Sequence, residues 1–413
     1  MLDSAAMPAI DPEVLLLALI CGLLIVPRAL QRFRLPAPLT CLALGIGAGI
    51  AVPESRADVT LMLLATLGIS SLFLFAGIEV DLAGLRRGRG MLSGHLAARG
   101  AAVAAVAWGA VEYLSLPWPA AILAALAVLT PSTGFILDSL DRLGLDEGER
   151  FWVTSKAVAG ELLALGALFV VLQSASAERL AMATGALALL VACLPLAYLL
   201  LARIVVPHAP GSEFSLLVMV GLVAAYATKL LGAYYLVGAF LAGLAARLLQ
   251  SRLPDLSSDE NQHAVKGFAS FFIPFYFFSG GAHVPAEALT WKALAIGLAI
   301  SAVVLPARVG ALWLQRRIFL KESAESSRRV AIALTPTLIF TLVLAGILHE
   351  RYGIDDALYG GLLVYAAVST ALPSFLISGP VDFGMQFDAS DRARPAVPAQ
   401  AAAPDGPGVN RDS

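Results

Sequence analysis

Charge is what this chain has least of. Asp, Glu, Lys and Arg make up 14% of its 413 residues, against about 25% in a soluble globular domain. So little charge excludes an ordinary water-soluble fold. The net charge of −2 carries no basic excess, so no nucleic-acid partner is expected. Cysteine is sparse too. Cys21, Cys41 and Cys193 lie singly in apolar runs, match no metal-ligand spacing and suggest no disulfide framework. They read as small buried hydrophobes. No His/Cys cluster, glycine-rich phosphate loop or nucleophile constellation is present, so no enzyme chemistry, resident metal or cofactor is expected. The first apolar run has an acidic flank, Asp3 and Asp11, and no basic n-region. It reads as a first span and not as a cleaved signal.

Apolar sequence is what the chain has instead. It is 59% apolar, with a mean hydropathy of +0.81. Runs near twenty residues recur from end to end, each long enough to cross a bilayer. The expected fold class is an all-α polytopic membrane protein. Thirteen spans are predicted, over 11–30, 36–53, 58–78, 92–115, 118–139, 151–173, 180–205, 213–230, 233–250, 266–284, 291–314, 328–348 and 357–378. The Pro, Ala and charge mixture of 386–413 cannot bury a core and reads as a disordered cytoplasmic tail, with no soluble nucleotide-binding domain after the membrane part. Basic residues sort by loop. Loops after odd spans hold Arg32, Arg34, Arg86, Arg87, Arg89, Arg142, Arg150, Arg247, Arg252, Lys266, Arg316, Arg317, Lys321, Arg328 and Arg329. Those after even spans hold little more than Arg56, Arg179 and Arg351. The positive-inside rule then places the N-terminus outside and the C-terminus in the cytoplasm of a bacterial-type plasma membrane.

Two apolar runs carry related interruptions. LTPST, residues 129–133, sits in the fifth predicted span, and LTPT, residues 334–337, in the twelfth. By the loop count these two spans cross the membrane in opposite senses. That pattern points to an inverted-topology repeat whose broken helices meet near the midplane and form an ion site. A proline inside a helix removes one hydrogen bond and clashes with the carbonyl four residues back. The freed carbonyl must be satisfied in lipid, by Thr130, Ser132, Thr133, Thr335 or Thr337, or by a cation or water. A plain proline kink would explain one such segment; two in opposed orientation favour crossed, broken helices.

Few ionisable residues lie at membrane depth, and each is a functional candidate by default. Glu161 falls mid-span in SKAVAGELLALGALFVVL, with nothing acidic near it in sequence. Desolvation favours the protonated form of such a group and a neighbouring cation favours the ionised form, so a proton and a metal cation can compete for it. The bland alternative is a protonated structural glutamate. Arg308 lies mid-span in SAVVLPARVGALWL. An unpaired buried guanidinium is very costly, so pairing with Glu161 is expected, with snorkelling towards Gln315 as the alternative. Lys156 and Arg99 are weaker candidates, the first snorkelling to the cytoplasmic face and the second lining an inner funnel. Asp138 and Asp141 read as solvated groups that could gather cations, and His95, His263 and His283 as interfacial.

With these residues in hand, the chain resembles the cation/proton antiporter superfamily, in the branch called monovalent cation:proton antiporter-2. The stretches RLPAPLTCLALGIGAGI (34–50), SSLFLFAGIEVDLAGLRR (70–87), LLGAYYLVGAFLAGLAARL (230–248) and FASFFIPFYFFSGGAHV (268–284) are similar to its patterns, in the same order. The family's ion-binding helix typically reads A-V-V-D-D-x-L-G-L, and AVAGELLAL (157–165) takes that place. The resemblance puts Glu161 at the essential acid and Gly160 where a second carboxylate or amide usually stands. Arg308 falls where many members have a lysine.

The resemblance implies secondary-active exchange of a monovalent cation, K⁺ or Na⁺, for protons by alternating access. Glu161, Thr130, Ser132, Thr133, Thr335 and Thr337 would form the ion and proton site, Arg308 would be the charge partner, and Gly160, Lys156 and Asp138 would be possible contributors. Arginine does not release a proton in proteins, so Glu161 is the one titrating group left and the exchange is expected to be electroneutral. The longer Glu arm beside a fixed arginine favours a larger ion such as K⁺. Within an exchanger domain over 1–385, spans in 11–78 and 213–284 would form a scaffold and spans in 92–173 and 291–378 an ion-carrying core. A homodimer through the scaffold is expected, since the small-residue faces LGIGAG and VGAFLAG suit close helix packing. Two other readings stay open: a non-transporting membrane sensor or scaffold, and a Na⁺-coupled organic-anion symporter with Arg308 as substrate anchor.

Overall fold

The computed structural model describes residues 12–53, 56, 58–81, 84, 89–174, 176–209, 211–232 and 234–377. The proposed tail over 386–413 lies outside them. Among the described residues fifteen α-helices follow one another: α1 Pro12–Leu30, α2 Ala37–Ala51, α3 Val59–Ile78, α4 Arg89–Leu114, α5 Trp118–Leu129, α6 Thr133–Ser139, α7 Glu147–Gln173, α8 Ala177–Ile204, α9 Glu213–Leu230, α10 Tyr235–Leu248, α11 Asp259–Ala282, α12 Trp291–Phe319, α13 Ala324–Ala333, α14 Leu338–Tyr352 and α15 Asp356–Leu376. No strand occurs among the described residues.

Each predicted span has a counterpart here, the fifth as α5 plus α6 and the twelfth as α13 plus α14. Among the described residues, eight helical stretches are long and apolar enough to cross a membrane, and the bent pair α13–α14 makes a ninth. Helices α2 and α10 are apolar but short. Helix boundaries move outwards where caps and polar first turns extend a helix beyond its apolar run. Helix α7 starts at Glu147 because Asp146 and Glu149 form a reciprocal capping box, which satisfies two of the orphan donors at a helix start. Ser258 caps α11, and Ser323 caps α13, each accepting a backbone N–H in the first turn.

Packing divides the helices into two groups. Helix α11 lies against α2 and α3, and α3 also against α10. Close approach there depends on glycine. A Cβ at Gly45 would fall 2.0 Å from the Phe278 carbonyl oxygen, and one at Gly243 2.1 Å from that of Leu74. The glycine faces expected to serve a dimer are therefore largely consumed within the chain. Gly45 and Gly49 meet α11, and Gly238 meets α9 at Ala224. In the second group α4 packs on α5, α12 on α15, and α14 on α5 and α15. Helix α7 touches α4, α5, α6 and α13.

Candidate functional site

The interruptions at Pro131 and Pro336 break their helices, as the sequence pattern predicts. The segment α13–α14 bends by 41° at its break. The two breaks cross and bond to each other. Ser132 N–H donates to the Pro336 carbonyl at 2.8 Å, and Ile339 N–H donates to Ser132 Oγ at 3.0 Å. A proline supplies no N–H of its own, so each break borrows donors from the other.

The last carbonyls of α5 have no partner within their helix beyond the break, and each finds one nearby. Leu126 O accepts from Thr130 N–H at 2.9 Å. Ala127 O accepts from Thr341 Oγ1 at 2.7 Å. Val128 O accepts from Arg308 Nη1 at 3.1 Å and from the Tyr365 hydroxyl. Leu129 O accepts from Arg99 Nη2. Beyond α13 the pattern repeats. Arg308 Nη2 donates to Leu334 O at 2.9 Å and Nη1 to Thr335 O at 3.1 Å. One guanidinium thus serves the C-terminal ends of both broken helices. A cation is favoured there because a helix C-terminus carries partial negative charge, and the planar fork spans several acceptors at once.

This placement corrects the expected pairing of Arg308 with Glu161. Arg308 spends its bonds on Val128 O, Leu334 O, Thr335 O and the Tyr365 hydroxyl, the last at 2.8 Å. Neither carboxyl oxygen of Glu161 has a hydrogen-bond partner among the described residues. Glu161 is 0% exposed. The Thr133 hydroxyl lies close enough to influence it, yet neither group reaches hydrogen-bond geometry. The Thr130 hydroxyl is also buried and without a partner. The remaining candidate hydroxyls are engaged. Ser132 Oγ accepts from Ile339, Thr335 Oγ1 donates to Ile332 O at 2.8 Å, and Thr337 Oγ1 lies 3.0 Å from Ser369 Oγ. Of the expected ion ligands, Glu161, Thr130 and Thr133 therefore keep unused oxygen atoms.

Gly160 leaves room for a guanidinium. A Cβ there would fall 2.8 Å from Arg99 Nη1 and 3.0 Å from its Cζ. Arg99 thus fills the space beside α7 where the resembled family usually has a second carboxylate or amide side chain. Lys156 does not snorkel. It is 0% exposed, and its Nζ donates to Gln315 Oε1 at 3.0 Å. His95 is buried, not interfacial, and its Nδ1 lies 3.4 Å from the same Gln315 oxygen. One amide thereby ties α4, α7 and α12 together. The side chains of Asp138 and Asp141 lie outside the described residues. Sequence reasoning missed Tyr365, Gln315, Thr341 and Ser369 as parts of this centre. Each is a polar residue in or near an apolar helix, the same signal that marked Glu161. No group of three or more His, Cys, Asp or Glu able to hold a metal occurs among the described residues.

Comparison with known proteins agrees with this architecture. The family described as "Sodium/hydrogen exchanger, transmembrane" matches residues 15–381. Among solved structures, the sodium proton antiporter MjNhaP1 from Methanocaldococcus jannaschii superposes with a TM-score of 0.63 at 15% identity, over 88% of this chain and 96% of that one. No curated protein matches the chain. With its apolar helices, the match makes this an integral membrane protein with an inverted-repeat antiporter fold.

Proposed function

Because the chain belongs to the sodium/hydrogen exchanger family, we propose that it is a secondary-active antiporter exchanging a monovalent cation for protons, with Glu161 as the carrier. One observation carries this reading: a fully buried carboxyl group with both oxygens unpartnered among the described residues, beside the break whose Thr130 and Thr133 hydroxyls are unpartnered there too. Buried polar atoms are normally satisfied, and an oxygen cluster left open suits a hard cation or a proton. When ionised, Glu161 holds the cation with these hydroxyls. When protonated, it releases it.

The two arginines bear on the charge balance. Arg99 and Arg308 already occupy the carbonyl ends of the broken helices, so the transported cation need not neutralise those carbonyls. The mobile group is then one carboxyl with either one proton or one monovalent cation. Both loaded forms carry the same charge, which makes the exchange electroneutral. The elements α4–α7 and α12–α15 would move as an ion-carrying core against a scaffold of α1–α3 and α9–α11, with α8 as connector. A homodimer would form on faces other than the glycine contacts of α2 and α10, which are already packed.

The test is proton-gradient dissipation in proteoliposomes, adding K⁺, Na⁺ and Li⁺ in turn to wild type and Glu161→Gln. Cation-dependent proton efflux that disappears in the variant supports the reading, and the ion order gives the selectivity. Absence of any response in wild type across the neutral pH range sinks it and leaves the sensor reading ahead.

A further inference from the structure

A cleft of about 780 Å³ opens between α4 and α12 and reaches the carbonyl ends of both broken helices. Its polar side chains are His95, Arg99, Arg308 and Gln315, and its other walls are apolar, with Ala311 and Phe319 among them. Among the described residues no lining side chain is acidic. Arg99 and Arg308 have no carboxylate partner among the described residues, and the charged neighbour of Arg99 is Arg308 itself. Arg99 gives one Nη2 bond to Leu129 O, which leaves its Nε and Nη1 donors without an acceptor among the described residues. Gly160 and Glu161 are adjacent on α7 but differ in surroundings. Gly160 meets Arg99, whereas Glu161 lies beside Thr133. The cleft is thus a separate feature from the carrier.

A cleft lined by charge of one sign between low-dielectric walls focuses its field and concentrates the opposite charge. Its volume falls in the range of about 300–1,000 Å³ usual for small-ligand sites. Guanidinium forks match a carboxylate in geometry. We propose that this cleft binds a single-chain aliphatic carboxylate, with the head group at the free donors of Arg99 and the chain against the alanine, leucine and phenylalanine walls towards Phe319. The site is distinct from the carrier, since Glu161 is not among the residues that line the cleft.

Equilibrium binding of radiolabelled decanoate to the detergent-solubilised full chain tests this without any ion gradient. Its outcome therefore does not depend on whether the protein exchanges cations. Saturable binding at one site per chain is expected, weakened by about tenfold or more in Arg99→Gln and abolished in Ala311→Trp, which fills the cleft while leaving both arginines in place. Decanol and decyltrimethylammonium should not compete. Equal affinity in both variants, or competition by decanol as strong as by decanoate, overturns the proposal. Competition by inorganic phosphate alone would make it a plain anion site and overturns the aliphatic part. Displacement by phosphatidylglycerol but not by octanoate would assign the cleft to a membrane lipid and overturns the single-chain ligand.

Discussion

Arg308→Met is the perturbation that most directly tests the crossing. Methionine keeps much of the length and apolar body of the arginine and removes every donor. Leu334 O and Thr335 O then have no other donor among the described residues, while Val128 O keeps the Tyr365 hydroxyl. Orphaning a buried polar group costs about 1–3 kcal/mol, so two such carbonyls give roughly 2–6 kcal/mol. Arg308 is only half-buried, and water entering from the cleft can replace part of its bonding. The lower half of that range, about 2–4 kcal/mol, is therefore expected. Unfolding in mixed micelles, followed by tryptophan fluorescence, reads the change. Glu161→Gln is the companion variant. If Arg308 paired with Glu161, both variants would weaken the protein and their double mutant would be non-additive. Since the carboxyl accepts no hydrogen bond, Glu161→Gln should leave stability unchanged or raise it. Arg308→Met within about 0.5 kcal/mol of wild type, or Glu161→Gln as costly as Arg308→Met, refutes the capping argument.

Three further outcomes follow from the packing. Gly160→Ala places a Cβ 2.8 Å from Arg99 Nη1 and pushes the guanidinium off Leu129 O. The lost bond outweighs the helical gain of alanine, a net cost of about 0.5–1 kcal/mol, and a double-mutant cycle with Arg99→Ala should show the two changes coupled. Gln315→Leu removes the acceptor of the fully buried Lys156 and should cost about 3 kcal/mol, with Gln315→Glu restoring the loss in thermal melts. Gly45→Ala forces α2 from α11 against a carbonyl 2.0 Å away, at about 1–3 kcal/mol. Gly47→Ala, with nothing within 4 Å, should gain up to about 1 kcal/mol, and equal melting temperatures for the two would refute the close approach.

The sequence by itself determined what depends on composition and order. Thirteen apolar runs, two interruptions at Pro131 and Pro336, and one carboxyl at Glu161 were readable because lipid makes charge and broken backbone costly wherever they stand. That cost does not depend on which helix is the neighbour. Partner choice does, and only the tertiary structure decided it. Opposite charge made Arg308 and Glu161 look like a pair, but the crossing brings three carbonyls and a tyrosine hydroxyl within reach of the guanidinium first. Arg99 does line an open cleft, but its packing over Gly160 and its bond to Leu129 O were not readable. Lys156 looked able to snorkel, yet Gln315, 159 residues away, holds it inside. Long polar side chains end several ångströms from their backbones, so their partners are fixed by helix docking, which no local pattern records.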